Sequence, residues 1–376
     1  MHFDQACDKK IRHLSGGPME LQGHSDTGIV VDKRYLGHDT GTYHPESPQR
    51  LEAIYKMLET PEMRPAFTHI EPRIALVEEI EMIHRSSYIA RVAATAGGKS
   101  TTLDPDTVVS SDSYEVALLA AGGLLSAVDA IMTGTIRNAF ALIRPPGHHA
   151  ESNRSAGFCI FNNVAVAAAY VRAIYGLTRI LIIDWDVHHG NGTQYAFYEN
   201  PEVLYFSTHQ YPFYPGSGSI NETGRGKGEG YTINVPLPRR QGDCEFLSIY
   251  KKILEPVAYA FNPQFIFISA GFDICAKDRL GGMMKVSPQG FADLTRVVLD
   301  IAQKCSGGRL AVTLEGGYNI EAMTQSIKTV LMEMNGCSHR ETDLLDATAG
   351  KADPSLNVLI AKVINTIGPY WDVFHQ

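Results

Sequence analysis

The segment Ile180-Leu-Ile-Ile-Asp-Trp-Asp-Val-His-His-Gly-Asn-Gly192 indicates both the fold and the chemistry of this chain. Its first four residues are apolar and mostly β-branched, which is typical of a strand buried on both faces of a parallel sheet. Similar runs recur at 139–143, 203–206, 265–268 and 310–314, with helical segments between them. This alternation predicts a single-domain α/β fold, with a doubly wound parallel sheet flanked by helices.

Helix signals between these runs support the same architecture. Asn162 or Asn163 is suited to cap a helix that ends at Gly176. Ser287, followed by proline, is a good start for a later helix. The most apolar long stretch, 116–128, is too short to cross a bilayer and predicts a buried helix.

Polar side chains follow every one of the five predicted strands. In open α/β sheets, ligands bind beyond the carboxyl ends of the strands, which lie along one edge. We therefore expect histidine, aspartate and tyrosine side chains from distant parts of the chain to meet there. The segments concerned are 144–149, 184–192, 207–209, 269–273 and 315–318.

Asp184, Asp186 and His188 alternate with apolar residues, so their side chains share one face of an extended segment. Two carboxylates and an imidazole are costly to bury without a cation. One histidine with one or two carboxylates and open positions suits a catalytic zinc site. Asp273, after the fourth apolar run, is the candidate ligand from another strand. A turn or helix-capping role for these aspartates is the alternative that the residues alone leave open.

His148 and His149 follow Pro-Pro-Gly, a rigid turn that fixes where the pair points. One imidazole is suited to act as general base on a water molecule, and the pair to protonate a leaving amine. Asp184 and Asn191 are candidate orienting partners. Tyr318, in a glycine turn that we expect to be flexible, is a candidate hydrogen-bond donor to an oxyanion. For a single tyrosine, ordinary packing is the alternative.

Aromatic residues beside glycine-rich turns suggest a binding slot. They occur in Gly157-Phe158 and in the segment 213–218. A pair of aromatic faces is suited to line a narrow passage for an alkyl chain. Loop packing explains the same residues equally well when they are taken alone.

Composition excludes several classes of protein. The chain has 376 residues and a formal net charge of −8, so we expect no broad basic surface for nucleic acid. Its six cysteines form no CxxC pair, which argues against a disulfide framework and a thiolate zinc site. The Gly-x-Ser-x-Gly, Walker A and His-Glu-x-x-His motifs are absent from the sequence.

We expect residues 1–25 to form an N-terminal extension, because they show little hydrophobic period and contain a Gly-Gly-Pro break. Residues 26–376 are expected to form one catalytic domain, since no linker or repeat interrupts them. The first residues lack the apolar core of a signal peptide. Together with the scattered cysteines, this predicts a cytoplasmic protein that contacts neither membrane nor nucleic acid.

Several motifs, in order, resemble the zinc-dependent histone deacetylase superfamily from about residue 28 to 335, and this resemblance implies the arginase/deacetylase fold. With Asn191, the motif after residue 184 resembles the class II branch and its bacterial relatives, because class I relatives have aspartate at that position. The motifs are His44-Pro-Glu-Ser-Pro-Gln-Arg50, Arg144-Pro-Pro-Gly-His-His, Gly157-Phe-Cys, Asp184-Trp-Asp-Val-His-His-Gly-Asn-Gly, Tyr214-Pro-Gly-Ser-Gly, Ser269-Ala-Gly-Phe-Asp and Glu315-Gly-Gly-Tyr.

The resemblance implies a ligand set for a catalytic metal and a second, structural cation. Asp186, His188 and Asp273 correspond to the zinc ligands, and the sequence leaves open whether zinc or Fe2+ is the native metal. A structural potassium ion would be held largely through backbone carbonyls. Its residues would be Asp184, Asp186, His188, Ser207 and Thr208.

The resemblance also implies catalytic roles. His149 becomes the general base, and His148, paired with Asp184, its electrostatic and acid partner. Asn191 would orient His149, and its neutral amide would leave that imidazole less basic than in class I relatives. Tyr318 corresponds to the tyrosine that stabilises the transition state, which argues for a competent enzyme.

The substrate implied by the resemblance is the acetylated amine of lysine in a peptide or protein. Gly157, Phe158 and Tyr214 would line the tunnel for the acyl-lysine chain. An acetylpolyamine amidohydrolase is the alternative enzyme. Polyamine-specific relatives carry glutamate at the tunnel mouth, where this chain presents Leu280, which favours acyl-lysine. A catalytically silent acyl-lysine-binding or scaffold protein is the alternative of another class, and formation of a homo-oligomer is left open.

Overall fold

Eight parallel strands form the sheet that the sequence predicts. In the computed structural model, which describes residues 25–64, 66–337 and 342–375, the strand order is β2-β1-β5-β10-β9-β6-β7-β8. A separate antiparallel hairpin contains β3 and β4. The strands are β1 Thr27–Val30, β2 Thr68–His69, β3 Thr101–Asp104, β4 Thr107–Val109, β5 Asn138–Ala141, β6 Ile180–Asp184, β7 Val203–Gln210, β8 Thr232–Leu237, β9 Phe265–Ala270 and β10 Leu310–Leu314.

Helices flank this sheet and connect its strands. One of them contains a π-helical stretch, Tyr250–Leu254, between two α-helical parts. The helices are α1 Gln49–Leu58, α2 Val77–Ile80, α3 Ser86–Ala93, α4 Ser113–Met132, α5 Asn163–Tyr175, α6 Asn191–Phe197, α7 Asp243–Ile249, α8 Glu255–Phe261, α9 Pro288–Cys305, α10 Ile320–Met334, α11 Thr342–Ala349 and α12 Leu356–Ile367.

The five apolar runs are all strands, and every residue of β5, β6, β7, β9 and β10 is buried. Several strand boundaries differ from the sequence prediction, and the ends of β5 and β7 are two of them. The strand β5 ends at Ala141 rather than at residue 143. The strand β7 continues to Gln210, because β8 pairs with it over its last six residues. Ser207 and Thr208 therefore lie inside a strand rather than after one.

The predicted helix starts are confirmed. The side chain of Asn162 accepts a hydrogen bond from the N–H of Ala165, 3.0 Å away, and Gly176 ends α5 in the left-handed conformation. The side chain of Ser287 caps α9 by accepting from the N–H of Gly290 at 3.1 Å. Both caps satisfy backbone donors that have no partner within the helix.

The apolar helix α4 is longer than the 13 residues expected from 116–128, since it spans 20. Polar residues near its ends do not stop it, because only the packed face of a helix must be apolar. By length and composition it is the one helix among the described residues that is apolar enough to cross a membrane. However, 72% of its most apolar 18-residue stretch is buried inside the fold. Its burial makes it a core helix.

The five neighbouring strands β5, β10, β9, β6 and β7 carry the segments that the sequence singled out. Because all are parallel, their carboxyl ends lie at one edge of the sheet. The predicted extension, residues 1–25, lies outside the described residues except for Ser25. The hydroxyl of Ser25 donates to the side-chain oxygen of Asn335 at 2.6 Å.

Candidate active site

Asp186, His188 and Asp273 form one buried cluster beyond the ends of β6 and β9. Their candidate ligand atoms all lie within 4.8 Å of one another. The Nδ1 atom of His188 is 3.0 Å from Oδ1 of Asp186 and 3.1 Å from Oδ2 of Asp273. The structure thus brings together the three side chains that the sequence proposes as metal ligands.

This cluster fits a divalent metal ion. Asp186 and Asp273 are 1% and 0% exposed, and the 3.1 Å contact of Oδ2 of Asp273 with Nδ1 of His188 lacks hydrogen-bond geometry, so this oxygen accepts no hydrogen bond from the described residues. Burial and the charge of Asp186 raise the pKa of Asp273 to about 7, which reflects the cost of two buried negative charges. An imidazole nitrogen and two carboxylate oxygens are ligands that zinc accepts, and such a set leaves room for water or substrate.

Backbone N–H groups hold both carboxylates in place. Oδ1 of Asp273 accepts a hydrogen bond from the N–H of Val187 at 2.8 Å. Oδ2 of Asp186 accepts one from the N–H of Gly316 at 2.9 Å, so the loop after β10 orients a residue that follows β6. Partners of this kind orient metal ligands and strengthen metal binding.

His148 and His149 lie side by side, with ring centroids 4.0 Å apart. The Nδ1 atom of His148 is 3.0 Å from Oδ2 of Asp184, and the phenol of Tyr205 donates to the same oxygen at 3.0 Å. Burial opposes protonation of His148, but the charges of Asp184 and Asp186 outweigh it and raise the pKa of His148 to about 10. This ring therefore favours the cationic form.

His149 has a neutral partner instead. Its Nδ1 atom is 2.8 Å from Oδ1 of Asn191, the first residue of α6. Burial and the neighbouring charge of His148 lower the pKa of His149 well below its usual value. Two titratable groups whose surroundings push their pKa values apart are typical of an acid and base pair.

Tyr318 follows β10 and is half-buried. Its ring meets Phe158 edge-on with centroids 5.8 Å apart, and the guanidinium of Arg50 lies 5.2 Å from the ring centre. Burial raises the pKa of Tyr318 well above 10, so the phenol keeps its proton. Oδ2 of Asp278 accepts hydrogen bonds from the N–H groups of Tyr318 and Asn319 at 2.6 and 2.7 Å, directly after the two glycines of the turn.

Two of the residues proposed for the tunnel, Tyr214 and Gly157, lie against the ring of His149. Tyr214 meets the ring of His149 edge-on at 5.1 Å and is 41% exposed. Gly157 lies against the same ring, since a Cβ atom there would be 2.3 Å from Cδ2 of His149. Phe213, which the sequence did not distinguish from its neighbours, stacks on His188 with centroids 5.3 Å apart and an interplanar angle of 11°.

The remaining predicted residues have less direct contacts. Leu280 is half-buried on the loop that follows Asp273, and its N–H donates to Oδ1 of Asp278 at 2.9 Å. Ser207 lies opposite Asp184 in the register of β6 and β7, with Thr208 next to it. The potassium role of these residues stays a prediction.

Two buried glutamates support the site and were not identified as functional from the sequence. Glu315 accepts hydrogen bonds from the N–H of Gly147 at 2.7 Å and from the hydroxyl of Ser269 at 2.8 Å. Burial raises the pKa of Glu315 to about 7. Glu315 thus ties the loop that carries the tandem histidines to β9 and β10.

Glu46 forms ion pairs with two buried arginines. It lies 3.0 Å from Nη1 of Arg50 and 2.7 Å from Nη2 of Arg144, and all three side chains are 0% exposed. Arg50 also donates to the carbonyl of Gly317 at 2.7 Å. Both glutamates stand inside motifs noted in the sequence, but no local pattern shows which distant residues they pair with.

The fold and the site together define an α/β protein with a candidate metal site and two adjacent histidines beyond the carboxyl ends of its parallel strands. This arrangement is suited to hydrolysis. Comparison with known proteins is consistent with this. Residues 44–334 match the histone deacetylase domain. The crystal structure of the HDA15 HD domain superposes with a TM-score of 0.86 at 36% identity, covering 93% of this chain and 96% of that one.

Curated relatives carry deacetylase names. A probable deacetylase of Archaeoglobus fulgidus is 41% identical over 78% of this chain and 82% of its own length. Histone deacetylase 15 of Arabidopsis thaliana is 38% identical over 92% of this chain and 63% of its own. Polyamine deacetylase HDAC10 of Danio rerio is 37% identical over 88% of this chain and 49% of its own.

The chain belongs to the histone deacetylase family. Membership makes it a hydrolase of the deacetylase class, in a family that is generally zinc-dependent. The relatives include proteins named for histone and for polyamine deacetylation.

Proposed function

We propose that this chain is a zinc-dependent deacetylase that hydrolyses the acetyl amide of acetyl-lysine in peptides or proteins, releasing acetate and the free amine. The observation that carries the proposal is the cluster of Asp186, His188 and Asp273 beside two histidines with unlike partners. Fe2+ would fit the same nitrogen and oxygen ligands.

A divalent ion held by Asp186, His188 and Asp273 would act as a Lewis acid on the acetyl carbonyl and on water. His149 donates from Nδ1 to the amide oxygen of Asn191, which leaves its Nε2 atom as an acceptor for the proton of water.

The other two groups act on charge that develops during hydrolysis. His148, held cationic by Asp184, places positive charge beside the reacting amide and supplies a proton to the departing amine. The phenol of Tyr318 stays protonated and donates to the oxyanion of the tetrahedral intermediate.

The residues around the histidines favour a narrow alkyl chain. Phe158 and Tyr214 supply aromatic faces, and Gly157 brings the backbone against His149 without a side chain. Leu280 offers an apolar group rather than a charge for a distal ammonium, which supports acyl-lysine over an acetylated polyamine.

A structural potassium ion is proposed near Asp184. Ser207 pairs with Asp184 in the sheet, and the hydroxyl of Thr208 is buried without a hydrogen-bond partner among the described residues. The other contributors would be Asp186 and His188, largely through backbone carbonyls. Replacing potassium chloride with tetramethylammonium chloride at equal ionic strength should lower the melting temperature if the ion is bound there.

The deciding experiment is acetate release from an acetyl-lysine peptide by zinc-loaded protein, with Tyr318→Phe run beside it. The phenylalanine keeps the ring contacts of Tyr318 with Phe158 and Arg50. We expect kcat to fall by about 10²–10³-fold, as for other oxyanion donors. An unchanged kcat would contradict the role of Tyr318.

Acetylpolyamines serve as the competing substrate in the same assay. If kcat/KM for acetylspermidine is well above kcat/KM for the peptide, the substrate is an acetylpolyamine rather than acyl-lysine. No turnover of either, with bound metal measured, would favour an acyl-lysine-binding scaffold.

A further inference from the structure

Glu151 lies two residues after His149 and contacts Asn191, the partner of that histidine. Its Oε1 atom accepts a hydrogen bond from Nδ2 of Asn191 at 2.8 Å. The same oxygen accepts from Nη2 of Arg154 at 2.6 Å. The side chain of Glu151 is 15% exposed, whereas that of Arg154 is 63% exposed. Glu151 thus connects a buried amide to the protein surface.

These contacts determine which way the amide of Asn191 points. A carboxylate accepts hydrogen bonds and donates none, so Asn191 must turn its NH2 group toward Glu151. Its oxygen then faces His149, at 2.8 Å from Nδ1. Since an amide oxygen only accepts, His149 must carry a hydrogen on Nδ1. In the neutral ring, the Nε2 atom is then left with a free lone pair.

The backbone around Glu151 is well held. Its N–H donates to the carbonyl of Arg154 at 2.9 Å, and its own carbonyl lies 2.9 Å from Nδ1 of His84. Asn191 is the first residue of α6. Glu151 therefore joins the loop after β5, which carries His149, to the start of the helix after β6.

We propose that Glu151 is a positioning residue for His149, because it fixes the amide of Asn191 and thereby the tautomer of the imidazole. This inference rests on the proposed role of His149 as the base. His148 receives a carboxylate partner directly from Asp184, whereas His149 receives one through an intervening amide. This arrangement orients the imidazole of His149 without placing a negatively charged group in direct contact with its ring.

The competing explanation is that Glu151 merely forms a surface ion pair with Arg154. Exposed ion pairs of this kind contribute little to the stability of a protein. Under this explanation Glu151→Ala and Arg154→Ala would have similar small effects on kcat, and neither would change the tautomer of His149.

The test compares kcat and KM of zinc-loaded Glu151→Ala, Glu151→Gln and Arg154→Ala on an acetyl-lysine peptide. We expect Glu151→Ala to lower kcat at least tenfold with KM within twofold, because without an acceptor the amide is free to flip. Glu151→Gln should restore most of kcat, since its amide oxygen still accepts from Asn191. Arg154→Ala should stay within twofold of the wild type. In the Asn191→Ala background, Glu151→Ala should have no further effect.

A second measurement needs no substrate. Long-range proton–nitrogen NMR spectra of protein labelled with 15N-histidine report the tautomer, and His149→Ala assigns the signal. We expect a single Nδ1–H tautomer of His149 in the wild type and in Glu151→Gln, and a mixture in Glu151→Ala.

Two results would overturn the proposal: a pure Nδ1–H tautomer in Glu151→Ala, or an equal loss of kcat when Asn191 is already alanine. Failure of the proposed function is a separate result, since it shows as wild-type protein that binds metal and turns over no acetylated amine. In that case the tautomer measurement still decides the role of Glu151.

Discussion

The Nδ1 atom of His148 lies 3.0 Å from a carboxylate oxygen of Asp184, at the buried end of β6. The pair explains why one of two adjacent histidines favours the cation while the other favours the neutral ring. Charge and hydrogen-bond partners, rather than burial, separate them, because both rings are 3% exposed.

Asp184→Asn should therefore lower kcat on an acetyl-lysine peptide by about 10–100-fold, as for other partners that orient catalytic histidines and metal ligands. The amide keeps the shape of the side chain but removes the charge that holds His148 protonated. Steady-state kinetics check this. Tyr205→Phe removes the hydrogen bond of the phenol to the same oxygen of Asp184 and should cost less, so an equal loss in both variants would contradict the charge argument.

Asp273→Asn should abolish tight zinc binding, since it replaces a buried carboxylate of the metal cluster with a neutral amide. Metal content after dialysis, measured by mass spectrometry, checks this. Asp278→Asn is the matched control on the same loop, because Asp278 holds backbone N–H groups outside the cluster. Stoichiometric zinc in Asp273→Asn would exclude that residue as a ligand.

Gly157→Ala should lower kcat at least tenfold, because the new methyl group would lie 2.3 Å from the ring of His149. Gly157 also has a φ of +55°, which disfavours alanine by about 1 kcal/mol. Gly97→Ala separates the two effects, since Gly97 has a φ of +69° and nothing within 4 Å of the new Cβ. The Gly97→Ala variant should be less stable than the wild type but keep its kcat. Equal kcat values for Gly97→Ala and Gly157→Ala would contradict a displacement of His149 by the new methyl group.

Leu280→Glu should raise the ratio of kcat/KM for acetylspermidine to that for an acetyl-lysine peptide. A carboxylate on this half-buried loop attracts a distal ammonium, and charge pairs of this kind contribute about 1 kcal/mol or more, equal to roughly a fivefold change. Competition assays measure the ratio. Leu280→Gln is the control for size and polarity, and an identical ratio in both variants would show that charge at this position does not select the substrate.

Glu46→Gln should destabilise the fold by about 3–5 kcal/mol at pH 7, since it leaves Arg50 and Arg144 without their buried partner. Burial opposes ionisation of Glu46, but the two arginines outweigh it and lower its pKa to about 2 from 4.5. A lowered carboxyl pKa contributes stability above pH 4.5 that is lost as the pH falls toward 2. Denaturant melts should show the difference from wild type shrinking over this range.

Glu199→Gln is the control for that prediction, because Glu199 pairs with Arg225 and these two side chains are 62% and 74% exposed. It should cost about 1 kcal/mol or less. A gap between wild type and Glu46→Gln that stays constant from pH 5 to pH 2 would contradict the lowered pKa of Glu46.

The sequence by itself determined five of the sheet strands, two helix starts and most of the polar segments that lie beyond those strands. This was possible because burial on both faces leaves continuous apolar runs such as 180–183, and helix caps such as Asn162 are local. The family resemblance added the grouping of Asp186, His188 and Asp273, which the structure shows as one cluster.

Only the tertiary structure decided which distant residues meet. The pairing of Glu46 with Arg144, the stacking of Phe213 on His188 and the contact of Glu151 with Asn191 all join segments that are distant in the sequence. Strand boundaries such as the end of β7 depend on the partner β8 in the same way. Hydrogen bonds and ion pairs between loops depend on how the sheet brings strand ends together, and no periodicity within one segment records that arrangement.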